Sequence, residues 1–232
     1  MTRLPSTAQY SAVLFDLDGT IVDSAPGITA TLAYTFARLE LPVPGPAELL
    51  RWVGPPILDS FRDFAGFDAE QSQRALAIYR EKYLAEGVYD ASLYPGVREV
   101  LHAIHAAGIP LSLATSKPET PARAVLEHFN LIEPFDHLTG ASDDEVRSAK
   151  KDVVEEALRR LEADGANLET AVLVGDRHHD VEGAAHHGVP TIFVTWGYGS
   201  LAEASGAIAI VDTPEQLLDQ LGLSEPTGTP TA

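Results

Sequence analysis

The chain has 232 residues, 45% hydrophobic and 22% charged, which is the balance of a globular protein able to bury a full core and not that of a collagenous or wholly disordered chain. It contains no cysteine, so a disulfide scaffold, thiolate zinc sites and cysteine nucleophiles are excluded, and any metal must be held by Asp, Glu or His. With 34 acidic against 16 basic residues the formal charge is −18, which argues against nucleic acid as a partner, because phosphate backbones are gripped by clustered Lys and Arg.

At the N-terminus, MTRLPSTAQY carries no apolar run, so no secretory leader is expected. No window approaches the ~18 apolar residues of a membrane span, so the expected address is the cytoplasm, with no membrane partner. The run SAVLF reads as a first strand and delivers Asp16 and Asp18, followed at once by Gly19 and Thr20. Two carboxylates this close disfavour each other's ionisation. Something at that point must attract negative charge.

From residue 24 to 93 no comparable strand appears. GITATLAYTFARLEL, AELLRWVG, PPILDSFRDFAG and AEQSQRALAIYREKYLAEG read as helices, broken by VPGP, GPP and GFD. An insertion of roughly 70 residues, where a βα loop usually has about two to six, predicts a separate helical subdomain. Strand and helix patterns then alternate. The strands are IPLSLAT ending at Thr115, HLTGAS from His137, AVLVGD ending at Asp176 and PTIFVT from Pro190. The helices are VREVLHAIHAAG, stopped by Gly108, then ETPARAVLEHFN, then DVVEEALRRLEADG with Asp152 as expected N-cap and Gly165 as terminator, and HDVEGAAHHG up to Gly188. Continuous apolar strands separated by helices predict a doubly wound parallel α/β sheet. The expected organisation is a core over 1–23 and 94–222, a helical cap over 24–93 and a frayed tail over 223–232, where LSEPTGTPTA lacks apolar anchors.

In such a sheet ligands bind beyond the carboxyl ends of the strands. Those ends carry Asp16 and Asp18, then Thr115, Ser116 and Lys117, then Asp176 with Asp180, while Lys150 precedes another helix. Brought together, three carboxylates would repel unless a hard cation sat among them, and Mg²⁺ prefers oxygen ligands. A hydroxyl, a lysine and the backbone amides after Asp16 would complete an anion site. Cation, carboxylate nucleophile and anion site describe phosphoryl transfer through an aspartyl-phosphate.

DLDGT at 16–20 resembles the signature of the haloacid dehalogenase superfamily of phosphohydrolases. LSLATSK, SAKKDVV and VGDRHHD resemble its second, third and fourth motifs, in order, and the helical insertion is similar to the small cap that follows the first motif in this family. YPGV, SKP and GDRHHDVEGA are most similar to phosphoglycolate phosphatase and 5′-nucleotidase-like members. The resemblance implies that Asp16 attacks phosphorus, that Asp18 protonates the leaving oxygen and then activates water, and that Thr115, Ser116 and Lys150 hold the phosphoryl group. Mg²⁺ would be bound by Asp16, the backbone carbonyl of Asp18 and Asp176, with Asp180 behind them. Ser116 stands where many phosphoglycolate phosphatases have asparagine, and the segment before Lys150 lacks their KPxP run, so Lys151 is a rival for its role. The implied activity is a Mg²⁺-dependent phosphomonoesterase acting on a small phosphorylated metabolite, of phosphoglycolate or nucleotide type. A phosphomutase of the β-phosphoglucomutase type would use the same motifs, and a phosphoaccepting signalling module would also phosphorylate an Asp beside Mg²⁺. Oligomeric state stays open.

Other features have plainer readings. Lys117 reads as a solvated loop lysine. Arg177 either touches the site or pairs with an acid. Trp52 in RWVGPPI is cap packing or part of a substrate-facing loop, with Arg51 as a candidate contact for an anionic substrate. The pair His178 and His179 raises the question of a transition metal, whereas His186 and His187 fall in a last helical turn and read as surface residues. WGYGS at 196–200 lacks the order of a dinucleotide loop and reads as a rim loop.

Overall fold

The computed structural model describes residues 9–224. In chain order the elements are β1 (Ala12–Phe15), β2 (Val22–Asp23), α1 (Ala25–Arg38), α2 (Pro46–Leu49), α3 (Ile57–Ala65), α4 (Ala69–Ala85), β3 (Ser92–Leu93), α5 (Val97–Ala107), β4 (Leu111–Pro118) and α6 (Glu119–His128). They continue with β5 (His137–Ala141), α7 (Lys150–Ala163), β6 (Ala171–Gly175), α8 (His178–Ala185), β7 (Thr191–Val194), β8 (Ala209–Val211) and α9 (Pro214–Leu221). Of the tail expected over 223–232, Leu223 and Ser224 are described, and Leu223 packs on the core with its N–H donated to the Leu218 carbonyl at 2.9 Å. The rest of that tail, and the chain start through residue 8, lie outside the described residues.

The doubly wound α/β architecture is as the sequence patterning predicts. Six strands form one sheet in the order β5-β4-β1-β6-β7-β8, every pair parallel. β1, β6 and β7 are buried along their whole length, which is why they read as unbroken apolar runs and not as alternating ones. The chain winds from β1 toward β5 and then returns to β6 on the other side of β1. The crevice between the ends of β1 and β6 is therefore the switch point of the sheet.

Three strands had no legible signal. β2 and β3 have two residues each and pair antiparallel, Val22 with Leu93 and Asp23 with Ser92, so both crossings into the helical block run through one narrow ribbon. β8 is a three-residue edge strand. The N-terminus of α7 also needs correction: it begins at Lys150, with Ala149 and not Asp152 at the N-cap. Asp152 lies inside the first turn, where a carboxylate still complements the helix dipole, and Lys150 becomes the first helical residue.

Within the helical block, α4 starts at a capping box in which Asp68 accepts from the Gln71 N–H and Gln71 from the Asp68 N–H. Phe36, Trp52, Phe61, Phe64 and Phe67 supply its centre, with Trp52 edge-on to Phe36, Phe61 and Phe64 at 5.4–5.7 Å between centroids. Leu14, fully buried in β1, packs with Val153, Val154 and Leu173 beneath the switch point. Leu14→Ala should lower stability by about 2–5 kcal/mol, read by urea denaturation. A midpoint equal to wild type would remove β1 from the core.

Candidate active site

β1 and β6 pair in register, Phe15 with Val174, and the Asp16 N–H donates to the Val174 carbonyl at 2.9 Å. The residues that follow the two strands, Asp16 and Asp176, therefore leave the sheet side by side. Asp180, in the first turn of α8, turns back toward them because its Oδ2 accepts the N–H groups of Asp176 at 3.1 Å and Arg177 at 2.9 Å. Asp16, Asp176 and Asp180 are all buried, and one carboxylate oxygen of each lies within 4.8 Å of the others.

This proximity requires glycine. Gly19 has φ +89°, and a Cβ there would stand 2.3 Å from Asp176 Oδ2. A Cβ at Gly197 would meet the same oxygen at 2.4 Å. WGYGS is thus more than the expected rim loop: the Tyr198 N–H donates to Asp176 Oδ2 at 2.8 Å, and Trp196 Nε1 to the Thr20 carbonyl at 3.1 Å. Thr20 Oγ1 donates to the other oxygen, Asp176 Oδ1, at 3.1 Å. The closely spaced glycines of 196–200 were the available sign of this backbone approach.

Lys150 is buried, and its Nζ lies 2.7 Å from Asp16 Oδ1 and 2.6 Å from Asp180 Oδ1. Lys151, its rival, is exposed. Burial pushes Asp16 up to about 6 against the pull of Lys150, with Asp180 adding to the rise. Burial, then Asp180 and Asp16, pushes Asp176 up to about 8. For Lys150 burial works the other way, but the two carboxylates prevail and hold it above the ordinary lysine value. With all three buried carboxylates ionised, the single ammonium leaves negative charge uncompensated. An all-oxygen donor set of that kind fits a hard divalent cation such as Mg²⁺. Among the described residues no histidine joins such a cluster: His178 Nδ1 lies 2.9 Å from Glu203, and His186 and His187 are exposed.

The Asp18 carboxylate is held apart from this cluster. It accepts from Ser24 Oγ and from Lys117 Nζ at 3.0 and 2.7 Å. Lys117 is therefore not a solvated loop residue: it is buried, with Nζ also 4.8 Å from the Tyr83 ring centroid. A bulge explains the error. Thr115 pairs with Gly140 and Pro118 with Ala141, so Ser116 and Lys117 are extra residues that bend β4 and re-aim its side chains. Gly140 makes room, since a Cβ there would stand 2.4 Å from the Lys117 carbonyl oxygen. Thr115 is buried, with Oγ1 accepting the Lys117 N–H at 3.3 Å.

The helical block reaches the sheet through two arginines. Of the two readings considered for it, Arg177 takes the second, pairing with Glu203 at 2.8 Å, and it also donates to the Val53 carbonyl at 2.8 Å. Arg80 of α4, which sequence reasoning missed, donates to the Asp143 carbonyl at 2.7 Å and to Glu145 Oε1 at 2.8 Å. A cavity of about 340 Å³ lies between block and sheet, lined by Asp18, Ser116, Lys117, Trp52 and Arg80 among others. Trp52 is thus both packing and cavity wall. Arg51 is not in that lining: it is exposed, with its guanidinium 4.9 Å from the Phe64 ring centroid.

Comparison with known proteins places this geometry in a family. The profile of haloacid dehalogenase-like hydrolases matches residues 13–194. The tyrosine-protein kinase PtkA of Mycobacterium tuberculosis is 38% identical over 209 residues, 90% of this chain and 70% of that protein. A 5′-nucleotidase of Pseudomonas aeruginosa is 36% identical over 83% of this chain and 86% of its own length, and a phosphoglycolate phosphatase of Rhodospirillum rubrum 37% identical over 94% and 93%. A crystal structure described as a predicted phosphatase from Clostridium acetobutylicum superposes with a TM-score of 0.85 at 37% identity, covering 91% of this chain and 97% of that one.

Carboxylates raised in the folded state favour folding below their unfolded pKa, and that advantage is lost as pH rises through the folded values. For Asp16 and Asp176 the window runs from about pH 4, the unfolded value, to about pH 8. Metal-free protein should therefore lose melting temperature from pH 5 to pH 8, and millimolar Mg²⁺ should raise it more at pH 8 than at pH 5. Equal shifts at both values would show that the cluster does not bind the ion.

Proposed function

The chain belongs to the haloacid dehalogenase-like hydrolases and is a phosphatase, and from that premise we propose that it is a Mg²⁺-dependent phosphomonoesterase acting through an aspartyl-phosphate on Asp16. Its substrate is a small phosphorylated metabolite of phosphoglycolate or nucleotide type. The observation that carries this reading is the buried cluster of Asp16, Asp176 and Asp180 with Lys150 bridging two of them.

In the proposed reaction Asp16 attacks phosphorus. Asp18, on a separate hydrogen-bond network with Ser24 and Lys117, protonates the leaving oxygen and later takes a proton from the hydrolytic water. Thr115, Ser116 and Lys150 hold the phosphoryl oxygens, and Lys150 keeps Asp16 oriented. Asp16, Asp176 and the Asp18 carbonyl would hold Mg²⁺, which supplies charge neutralisation for the transferring group. The helical block serves as a cap that excludes bulk water. The likeness to PtkA supports one second reading, phosphoryl transfer from ATP to tyrosine, which would appear as phosphotyrosine formed without stoichiometric phosphate release.

Phosphate release from a panel of phosphorylated metabolites tests the proposal, and isomerised sugar phosphate without release would overturn it in favour of a mutase. Asp16→Asn should cost roughly a hundredfold or more in kcat/KM, about 2.7 kcal/mol, with an unchanged circular dichroism spectrum. Turnover near wild type would refute Asp16 as nucleophile. EDTA should abolish activity and Mg²⁺ restore it; activity indifferent to EDTA would sink the metal requirement.

A further inference from the structure

The cavity beside Asp18 has a composition that selects among phosphate esters. Its walls from the helical block are Ile28, Trp52, Ile57, Leu76, Tyr79 and Tyr83, with Tyr79 and Tyr83 stacked at 5.4 Å. Its charged lining consists of Asp18, Asp143, Glu145, Lys117 and Arg80, and both cations already face acids, Lys117 on Asp18 at 2.7 Å and Arg80 on Glu145 at 2.8 Å. Among the described residues of the lining, no cation is left over for a second anionic group on the substrate.

Size points the same way. The volume of about 340 Å³ lies in the range of sites for whole small-molecule ligands, so a two-carbon acid would fill a small part of it and leave the apolar wall wet.

We infer that the cavity takes the leaving group of a phosphate ester whose alcohol is neutral and ring-bearing, as in a nucleoside. A carboxylate-bearing leaving group such as glycolate is selected against. The inference rests on the phosphatase reading and narrows it.

The test measures kcat/KM of the full chain with Mg²⁺ on nucleoside 5′-monophosphates, phenyl phosphate and phosphoglycolate. Nucleoside monophosphates should exceed phosphoglycolate at least tenfold, with phenyl phosphate, whose ring is neutral but occupies less of the cavity, between them. Phosphoglycolate equal to or above the nucleotides overturns the inference, and so does phenyl phosphate below phosphoglycolate. Leu84→Arg adds a cation at a half-exposed position of the lining and should narrow the nucleotide-to-glycolate ratio about tenfold; an unchanged ratio counts against the cavity as the leaving-group site. Should no ester release phosphate, the phosphatase reading fails by itself. Calorimetric binding to Asp16→Asn then decides the inference: tighter binding of a nucleoside monophosphate than of phosphoglycolate supports it, and equal or weaker binding overturns it.

Discussion

Three buried carboxylates, two of them bridged by one ammonium, at the point where the sheet reverses its winding, are the constraint on which the rest of this structure depends. Asp16, Asp176 and Asp180 with Lys150 form an assembly that is unfavourable as it stands, because desolvation penalises each charge and the acids repel one another. The fold supports it with parallel neighbours β1 and β6, a helix N-terminus at Asp180 and backbone amides aimed at carboxylate oxygens. Glycines at 19 and 197 let main chain approach Asp176 where any side chain would collide.

Asp16 and Asp18 are two residues apart yet occupy different surroundings. Asp16 faces the acidic cluster and Lys150, and Asp18 faces Ser24, Lys117 and the cavity. The separation follows from the turn after β1, in which the N–H groups of Ile21 and Val22 fold back onto the Leu17 carbonyl. Two carboxylates with separate partners can carry separate tasks, which is what paired acid and nucleophile chemistry needs.

The cap and the sheet are joined by contacts that bracket the cavity. Arg177 links the Asp176 loop to Val53, and Arg80 links α4 to the loop after β5. Lys117 belongs to both sides at once, bonded to Asp18 and facing the Tyr83 ring. The cavity lining is therefore composed jointly, the sheet side contributing Asp18, Lys117, Asp143 and Glu145 and the helical block contributing apolar and aromatic surface together with Arg80.

The sequence alone determined the doubly wound sheet and the acidic and basic residues at its strand ends, because strands buried on both faces leave unbroken apolar runs, DLDGT follows β1 directly, and LSLATSK and VGDRHHD carry their polar residues at the ends of β4 and β6. It also marked the helical insertion, since nearly 70 residues without a strand pattern are legible by period. Only tertiary structure decided the orientation of Lys117, for its burial follows from a bulge registered against Gly140 across the sheet. The same holds for Arg80 reaching Glu145 and Tyr198 capping Asp176, contacts between residues 65 and 22 positions apart. Periodicity reports which face of an element is apolar. Which distant residue a polar side chain meets is set by register and packing, and no local pattern encodes that.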